Sequence, residues 1–263
     1  MPYASIRSLA RGLRVLQYLN TVTEATPVEI CRELDLPRPT VHRILDTLID
    51  RGWVYQSRST SAFRLTSEVR RLHQMAAGDK SIETLARPAL TRLTEEIAWP
   101  SDLALRDRDA MVICDSTHRT SALSFDAGVI GHRRPMLESA LGRAYLSHCP
   151  EAEQLDILDS LRASADPAAA RAKDPALVSE LIEAGRRDGV STYADLARRN
   201  SVAVAAPIRF EGGVLACINI VWLASAMPFS EAVAWLTPRL LAARDQIEER
   251  LEQNGPPVLP ILQ

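Results

Sequence analysis

Between Thr26 and Trp53 apolar residues recur at helical spacing in two short runs separated by Leu36-Pro37, the pattern of two amphipathic helices joined by a tight turn. Thr26-Pro27-Val28-Glu29 reads as the start of the first. The threonine hydroxyl caps an amide, proline sits where no donor is needed, and the glutamate lies three residues on. Val28, Cys31 and Leu34 line that helix, and Val41, Ile44, Leu45, Leu48 and Ile49 give the second one apolar stripe. Arg38, Thr40, His42 and Arg43 remain on its other face, early in the helix. Short and forked donors there suit phosphates and base edges in a major groove. An earlier amphipathic segment, begun near Ser8 and carrying Leu9, Leu13, Leu16 and Tyr18-Leu19, covers the back of the pair. Gly52 ends the second helix. Trp53-Val54-Tyr55 and Ala62-Phe63-Arg64-Leu65 then flank the polar loop Gln56 to Ser61, whose one charge is Arg58, as a candidate wing. Two helices and a turn also serve protein contacts in bundles, so that reading stands beside DNA binding.

Thr66-Ser67-Glu68 opens a further helix with Val69, Leu72 and Met75-Ala76 on one side. Residues 66–80 are expected to link a small domain, 1–65, to a larger one, 81–253, followed by a tail, 254–263. The larger segment starts with a helix from about Ile82 to Ile97. Leu103 to Leu105 and Ala110 to Cys114 read as a hairpin, with a third strand near Ala122 to Phe125 and a loop over Gly128 to Pro135. Val202 to Ile208 and Val214 to Trp222, joined through Glu211-Gly212-Gly213, read as central strands. Helices are expected over Ser139 to Ser147, Glu151 to Leu161, Pro175 to Asp188 and Ser230 to Glu252, with a mobile Ala/Asp/Pro-rich link between the second and third. Strands mixed with flanking helices make an α+β fold.

A length of 263 residues with 46% hydrophobic content supports two domains with ample core. No run approaches a membrane span, and the amino terminus is amphipathic instead of carrying an apolar signal core, so no membrane partner is expected and the cytoplasm is the expected location. The net charge of −2 conceals an asymmetry: residues 1–80 hold 11 Arg and 1 Lys against 8 acidic residues, a net +4, leaving −6 for the rest. The basic end is the helix-turn-helix end, as counterion release on DNA requires. Cys31, Cys114, Cys149 and Cys217 are widely spaced in apolar contexts, which favours buried thiols over a disulfide framework. The five histidines, His42, His73, His118, His132 and His148, lack metal-ligand spacing, so no metal or cofactor is expected. Ser139, His148 and Asp156 would make a hydrolase only with a strained nucleophile elbow, which this segment lacks.

Two motifs in order carry a resemblance. Leu36-Pro37-Arg38-Pro39-Thr40-Val41-His42-Arg43-Ile44-Leu45 is similar to the recognition-helix pattern of the isocitrate lyase regulator (IclR) family of bacterial transcription regulators. Gly131, Arg133, Pro135 and Ala140-Leu141-Gly142-Arg143-Ala144 match that family's second element. Pro39 departs from the small hydroxyl residue usual there. Within the family the chain resembles activators of hydroxyphenylpropionate catabolism through Trp99-Pro100, Asp109-Ala110-Met111-Val112, Thr117-His118-Arg119, Leu123-Ser124-Phe125 and Ala224-Ser225-Ala226-Met227. The resemblance implies a winged helix-turn-helix, a linker helix and a GAF-like effector domain, assembled as a homodimer or dimer of dimers on a palindromic operator, with RNA polymerase as a further partner. It implies no enzyme activity.

The resemblance also implies an effector site made of Leu137, Leu141, Gly142, Tyr193, Ala203, Cys217, Asn219 and Val221, with a small aromatic carboxylic acid as ligand. Asn219 is the odd residue in an apolar run, and either a ligand or the backbone can satisfy its amide. Tyr193 and Trp222 read as packing or as ring contacts, and Arg133 and Arg134 as carboxylate partners or structural ion pairs. Three classes follow: a ligand-responsive DNA-binding regulator, an enzyme or metabolite-binding protein whose helix-turn-helix makes protein contacts, and a thiol-responsive regulator.

Overall fold

In the computed structural model the chain divides into two compact units, Met1–Gly78 and Asp79–Gln263. The structure describes residues 6–22, 24–57, 60–66, 68–69, 81–126, 129–196 and 200–259. The first unit holds α1 (Arg7–Thr21), α2 (Pro27–Leu34) and α3 (Arg38–Asp50), then a hairpin of β1 (Val54–Gln56) and β2 (Phe63–Leu65). A reciprocal cap starts α2: Thr26 Oγ1 accepts from the Glu29 N–H at 3.4 Å, and the Glu29 carboxylate accepts from the Thr26 N–H at 2.7 Å. The Thr26 N–H and the Thr26 hydroxyl, which both donate to its carboxylate, hold the Glu29 carboxyl below its ordinary pKa. The chain then turns through Asp35, in the left-handed region at φ 50°, and buries Leu36.

The core of this unit differs from the expected stripe in α2. Val28 is exposed and Ile30, not in that stripe, is the fully buried α2 residue, packed with Val15, Leu19, Val41, Leu45 and Phe63, while Cys31 and Leu34 of the stripe pack half-buried against the same core. α3 ends in a Schellman motif, in which Gly52, at φ 72°, donates to the Ile49 carbonyl and Trp53 to that of Leu48. Ala25 bridges Phe63 and Arg64 pairs with Glu24 at 2.6 Å, which ties the hairpin back to the start of α2. Of the helix expected over 66–80, Glu68 and Val69 are helical, and Ser67 with 70–80 lies outside the described residues.

The second unit is built on a six-stranded antiparallel sheet in the order β5-β4-β3-β8-β7-β6. Its strands are β3 (Ser101–Asp107), β4 (Ala110–Ser116), β5 (Arg133–Pro135), β6 (Ser191–Asp195), β7 (Ser201–Phe210) and β8 (Gly213–Leu223). Strand alternation sorts the side chains. Leu103, Leu105, Val204, Ile218, Ile220 and Trp222 share one core with α4 (Ile82–Ile97) and α8 (Phe229–Asn254). Ala104, Ala205 and Cys217 share the other with α5 (Ala140–His148), α6 (Glu151–Ala163) and α7 (Pro175–Asp188). Branched residues fill the first face, and small ones on the second let α5 approach the sheet. α5 and α7 are equally close: a Cβ on Gly185 would stand 2.2 Å from Ser147 Oγ.

Three expectations for this unit are corrected. Residues 122–125 form turns and bends instead of a strand, and the edge strand β5 comes from the stretch read as loop. β6, with sequence Ser-Thr-Tyr-Ala-Asp, carries no apolar run and went unread; it adds to the sheet through backbone pairing with β7. The stretch read as a mobile link holds a 3-10 helix, Pro167–Lys173, capped by Asp166 and anchored by buried Ala169 and Ala172. After α8, Val258 pairs in parallel with Ser81. No helix among the described residues is long and apolar enough to cross a membrane.

Gly52→Ala forces an L side chain into the left-handed conformation that ends α3, at a cost of about 1–2 kcal/mol. A urea melt of the full chain reads this as an earlier transition for the amino-terminal unit, and an unchanged midpoint refutes the capping role.

Candidate nucleic-acid interface and ligand cavity

α3 begins with Pro37 at its cap position and no side-chain cap. The Pro37 carbonyl accepts from the N–H groups of Thr40 and Val41 at 2.9 and 3.1 Å and Pro39 carries no N–H, so the Arg38 N–H is the one first-turn donor not engaged within the helix. The positive end of this helix is therefore open to an anion. Arg38 and Arg43 are exposed, Thr40 and His42 are half-buried, and Asp46 and Asp50 are exposed towards the other end. Charge runs from positive to negative along one helix, so a phosphate backbone is attracted only by its first turns. Thr40 and Arg43 also border a groove of about 480 Å³ formed with Leu9 and Leu13 of α1 and with Trp53. Arg58 lies outside the described residues.

In the second unit the sheet register builds a polar row. Ser116 stands opposite Asp102, Asp102 opposite Asn219, Asn219 opposite Ala205 and Ala205 opposite Ser191. The neighbouring row sets Val221 opposite Ala203 and Ala203 opposite Tyr193. A cavity of about 560 Å³ opens over these rows, walled by Arg134 and Pro135 of β5, by Ser139, Ala140 and Leu141 at the start of α5, and by Phe125. At its floor Asp102 is 1% exposed and His118 5%. Ser116 Oγ donates to Asp102 Oδ1 at 2.7 Å, the Asp102 N–H donates to Asn219 Oδ1 at 3.0 Å, and His118 Nε2 stands 3.8 Å from the carboxylate. Burial pushes the Asp102 carboxyl up, against the opposing pull of His118, Ser116, Arg134 and Asn219.

Leu141, Tyr193, Ala203, Asn219 and Val221 line this cavity, whereas Leu137, Gly142 and Cys217 do not. Leu137 and Cys217 are sealed in the α5 core at 1% and 0% exposure. Gly142 serves packing: its N–H is spent on Ser139 Oγ at 3.0 Å, and a Cβ there would lie 2.3 Å from the Met136 Cα. Trp222 belongs to the core on the opposite face of the sheet. The cavity is correspondingly more polar than the sequence suggests, because Asp102, His118, Glu138 and Asp195 also line it. Asp102 was detectable as the one charge in the run Ser101 to Leu105; His118 carried no such signal.

Arg133 pairs with the carboxylate of Asp107 and with Asp109 at 3.1 Å, which favours its structural reading. Arg143 donates to the Leu137 and Thr192 carbonyls and lies over the Tyr193 ring, 4.9 Å from its centroid. The residues of the hydrolase alternative are otherwise engaged: Ser139 donates to the Pro135 carbonyl at 2.7 Å, and His148 Nδ1 contacts the Ala144 carbonyl. Burial raises the thiol pKa of Cys114 and Cys217 well above the ordinary value and that of Cys149 to about 11, against thiolate chemistry at these positions. Among the described residues no three His, Cys, Asp or Glu side chains gather as metal ligands.

Residues 8–58 match the IclR helix-turn-helix domain and residues 74–249 the bacterial transcriptional regulator IclR C-terminal domain. The chain belongs to the IclR family. As an IclR regulator it is a DNA-binding transcription factor and not an enzyme. It is 25% identical over 229 residues to the HTH-type transcriptional regulator XynR of Escherichia coli, covering 86% of this chain and 90% of that protein. Several further regulators align over 51–57% of their own length. A putative transcriptional regulator of Rhodococcus sp. RHA1 superposes with a TM-score of 0.69 at 26% identity, over 95% of this chain and 100% of that one. An IclR homologue of Microbacterium hydrocarbonoxydans, solved in complex with 4-hydroxybenzoate, shares the fold with a TM-score of 0.68 at 22% identity, over 94% and 100% of the two chains.

Two predictions follow from the side-chain placements. Gly142→Ala destabilises the second unit by about 1–3 kcal/mol through overpacking against Met136, read as a lowered melting temperature; a neutral outcome removes the close contact. At neutral pH a thiol of pKa about 11 is ionised in roughly one molecule in ten thousand. A thiol reagent at pH 7.5 therefore labels Cys114, Cys149 and Cys217 slowly in the folded protein and rapidly in urea, and equal rates contradict their burial.

Proposed function

We propose that this IclR-family chain is a ligand-responsive regulator of an aromatic-acid catabolic operon, closest to the hydroxyphenylpropionate activators. Residues 1–65 act as the DNA-binding domain, 66–80 as the linker helix, and 81–253 as the effector domain. Arg38, Thr40, His42 and Arg43, with Arg58 of the wing, contact a palindromic operator, and the effector is a small aromatic carboxylic acid, preferably hydroxylated. The observation that carries the ligand reading is the cavity of about 560 Å³, a size suited to a small molecule, lined by Leu141, Tyr193, Ala203, Asn219 and Val221. The complex of the Microbacterium homologue with 4-hydroxybenzoate supports it. Asn219 Oδ1 is taken by the Asp102 N–H, so this side chain offers a ligand only its amide hydrogens. The ligand carboxylate faces the start of α5, where Ala140 and Leu141 line the cavity and their N–H groups lack helical partners.

A second copy of the chain is the proposed partner, because two half-sites need two recognition helices and α1 exposes Ile6, Leu9 and Leu13. The thiol-responsive alternative is disfavoured at Cys114, Cys149 and Cys217 by the raised pKa values.

Arg43→Ala weakens operator binding by about 1–3 kcal/mol with an unchanged melting temperature if Arg43 reads a base. Arg38→Ala weakens all sequences alike and flattens the salt dependence by about one unit of slope. Unchanged affinity in a mobility-shift titration removes either residue from the interface. A thermal-shift screen of aromatic and aliphatic acids tests the ligand class, since a ligand of the folded state raises its stability. Stabilisation by short aliphatic acids alone rejects the aromatic reading.

A further inference from the structure

We infer that Asp102, set in place by Ser116 and flanked by His118, is the residue through which the cavity reads a hydroxyl group on its ligand. This rests on the aromatic-acid reading and adds what decides among such acids. Asp102 sits centrally in the floor row, on β3 between β4 and β8, and lines the cavity while being 1% exposed. An ionised carboxylate is acceptor-only, with about four lone-pair sites on its oxygens. Ser116 Oγ fills one. Asp102 lines the cavity, so the capacity left over is what a ligand hydroxyl can donate to.

His118 packs beside this acceptor without making a hydrogen bond to it. Ser124 Oγ donates to the Asp126 carbonyl at 3.0 Å, which leaves its oxygen to accept from the Nδ1–H of His118 at 2.8 Å. The ring is further braced edge-on by Phe125, with centroids 6.0 Å apart, and the His118 backbone N–H donates to Ser116 Oγ at 3.2 Å. Nε2 is thereby aimed at Asp102 from 3.8 Å, longer than a direct hydrogen bond. The Asp102 carboxyl is therefore buried with its desolvation only partly offset inside the protein, as is expected of a group with an outside partner.

The test uses two matched pairs of probes, 4-hydroxybenzoate with benzoate and 3-(3-hydroxyphenyl)propionate with 3-phenylpropionate, titrated calorimetrically into the full chain. At least one hydroxylated acid is expected to bind about tenfold or more tighter than its deoxy partner, because a missing hydroxyl leaves the buried acceptor unpaired. In Asp102→Ala that ratio falls to about twofold or less. Asp102→Asn, which keeps the side-chain shape and guards against a folding failure, lowers the ratio without abolishing binding of the deoxy acid. A merely structural Asp102 weakens both members of a pair alike and leaves the ratio standing, which overturns the inference. Equal binding within both pairs by the wild type also overturns it while leaving the aromatic-acid reading intact. Binding of none of the four acids rejects that reading and the inference with it.

Discussion

The register of β3, β8 and β7 is the constraint on which the effector unit depends. One set of alternate positions is Leu103, Ile218, Ile220, Val204 and Trp222, and it is buried under α4 and α8. That set cannot slip by one residue without exchanging faces with Asp102, Asn219 and Ala205. Pairing the branched residues correctly therefore places the polar row on the other face. The cavity floor is thus a consequence of how the opposite core packs, which explains why polar groups as buried as Asp102 and Asn219 hold their positions. Their mutual bond, from the Asp102 N–H to Asn219 Oδ1, satisfies one buried donor and one buried acceptor together.

The first unit follows a different constraint. Its helices are short, and α2, Pro27–Leu34, falls well below the length at which an isolated helix is stable. It persists because the Thr26–Glu29 cap fixes one end, the Asp35 turn the other, and Ile30 and Leu36 bury themselves against α1 and α3. Arg14 of α1 donates to the Leu34 carbonyl at 2.9 Å, adding a further tie at the end of α2. The exposed face of α3 is then free of packing duty, and its composition reflects charge instead: arginines early, aspartates late.

Elements with their own local signals were legible in the sequence. Thr26, Pro27 and Glu29 mark a helix start, Gly52 a helix end, and the long apolar strands β7 and β8 with Gly212 between them a hairpin. Elements that exist through pairing were not. β5 and β6 are edge strands of three and five residues, Arg133–Pro135 and Ser191–Asp195, whose partners supply their order. The site was legible in the same proportion. Asn219 stood out in its strand and the family resemblance pointed to Val221, but which of the apolar neighbours faced the cavity required the register, and it sends Trp222 to the other core and seals Cys217 beneath α5. Gly142 is a packing glycine, a role visible only once Met136 is seen beside it. His118 lies far in sequence from Asn219, and only the pairing of β3 with both β4 and β8 brings them to one floor.

Both proposed sites leave a polar group incompletely satisfied within the chain. α3 starts at Pro37 without a side-chain cap although a hydroxyl or carboxylate there is commonly worth about 1 kcal/mol, and Asp102 retains a carboxylate in a floor that apolar residues would fill more stably. An anion can complete the Arg38 N–H beside the Arg38 and Arg43 side chains, and a hydroxyl donor can complete a carboxylate with lone pairs to spare. An uncapped start is not peculiar to α3, since α1, α6 and α8 also begin without a side-chain cap, and the buried Glu83 carboxylate has no hydrogen-bond partner. What sets Asp102 apart from these is its place in the wall of a cavity, where a group left incomplete within the chain is one that the proposed ligand can complete.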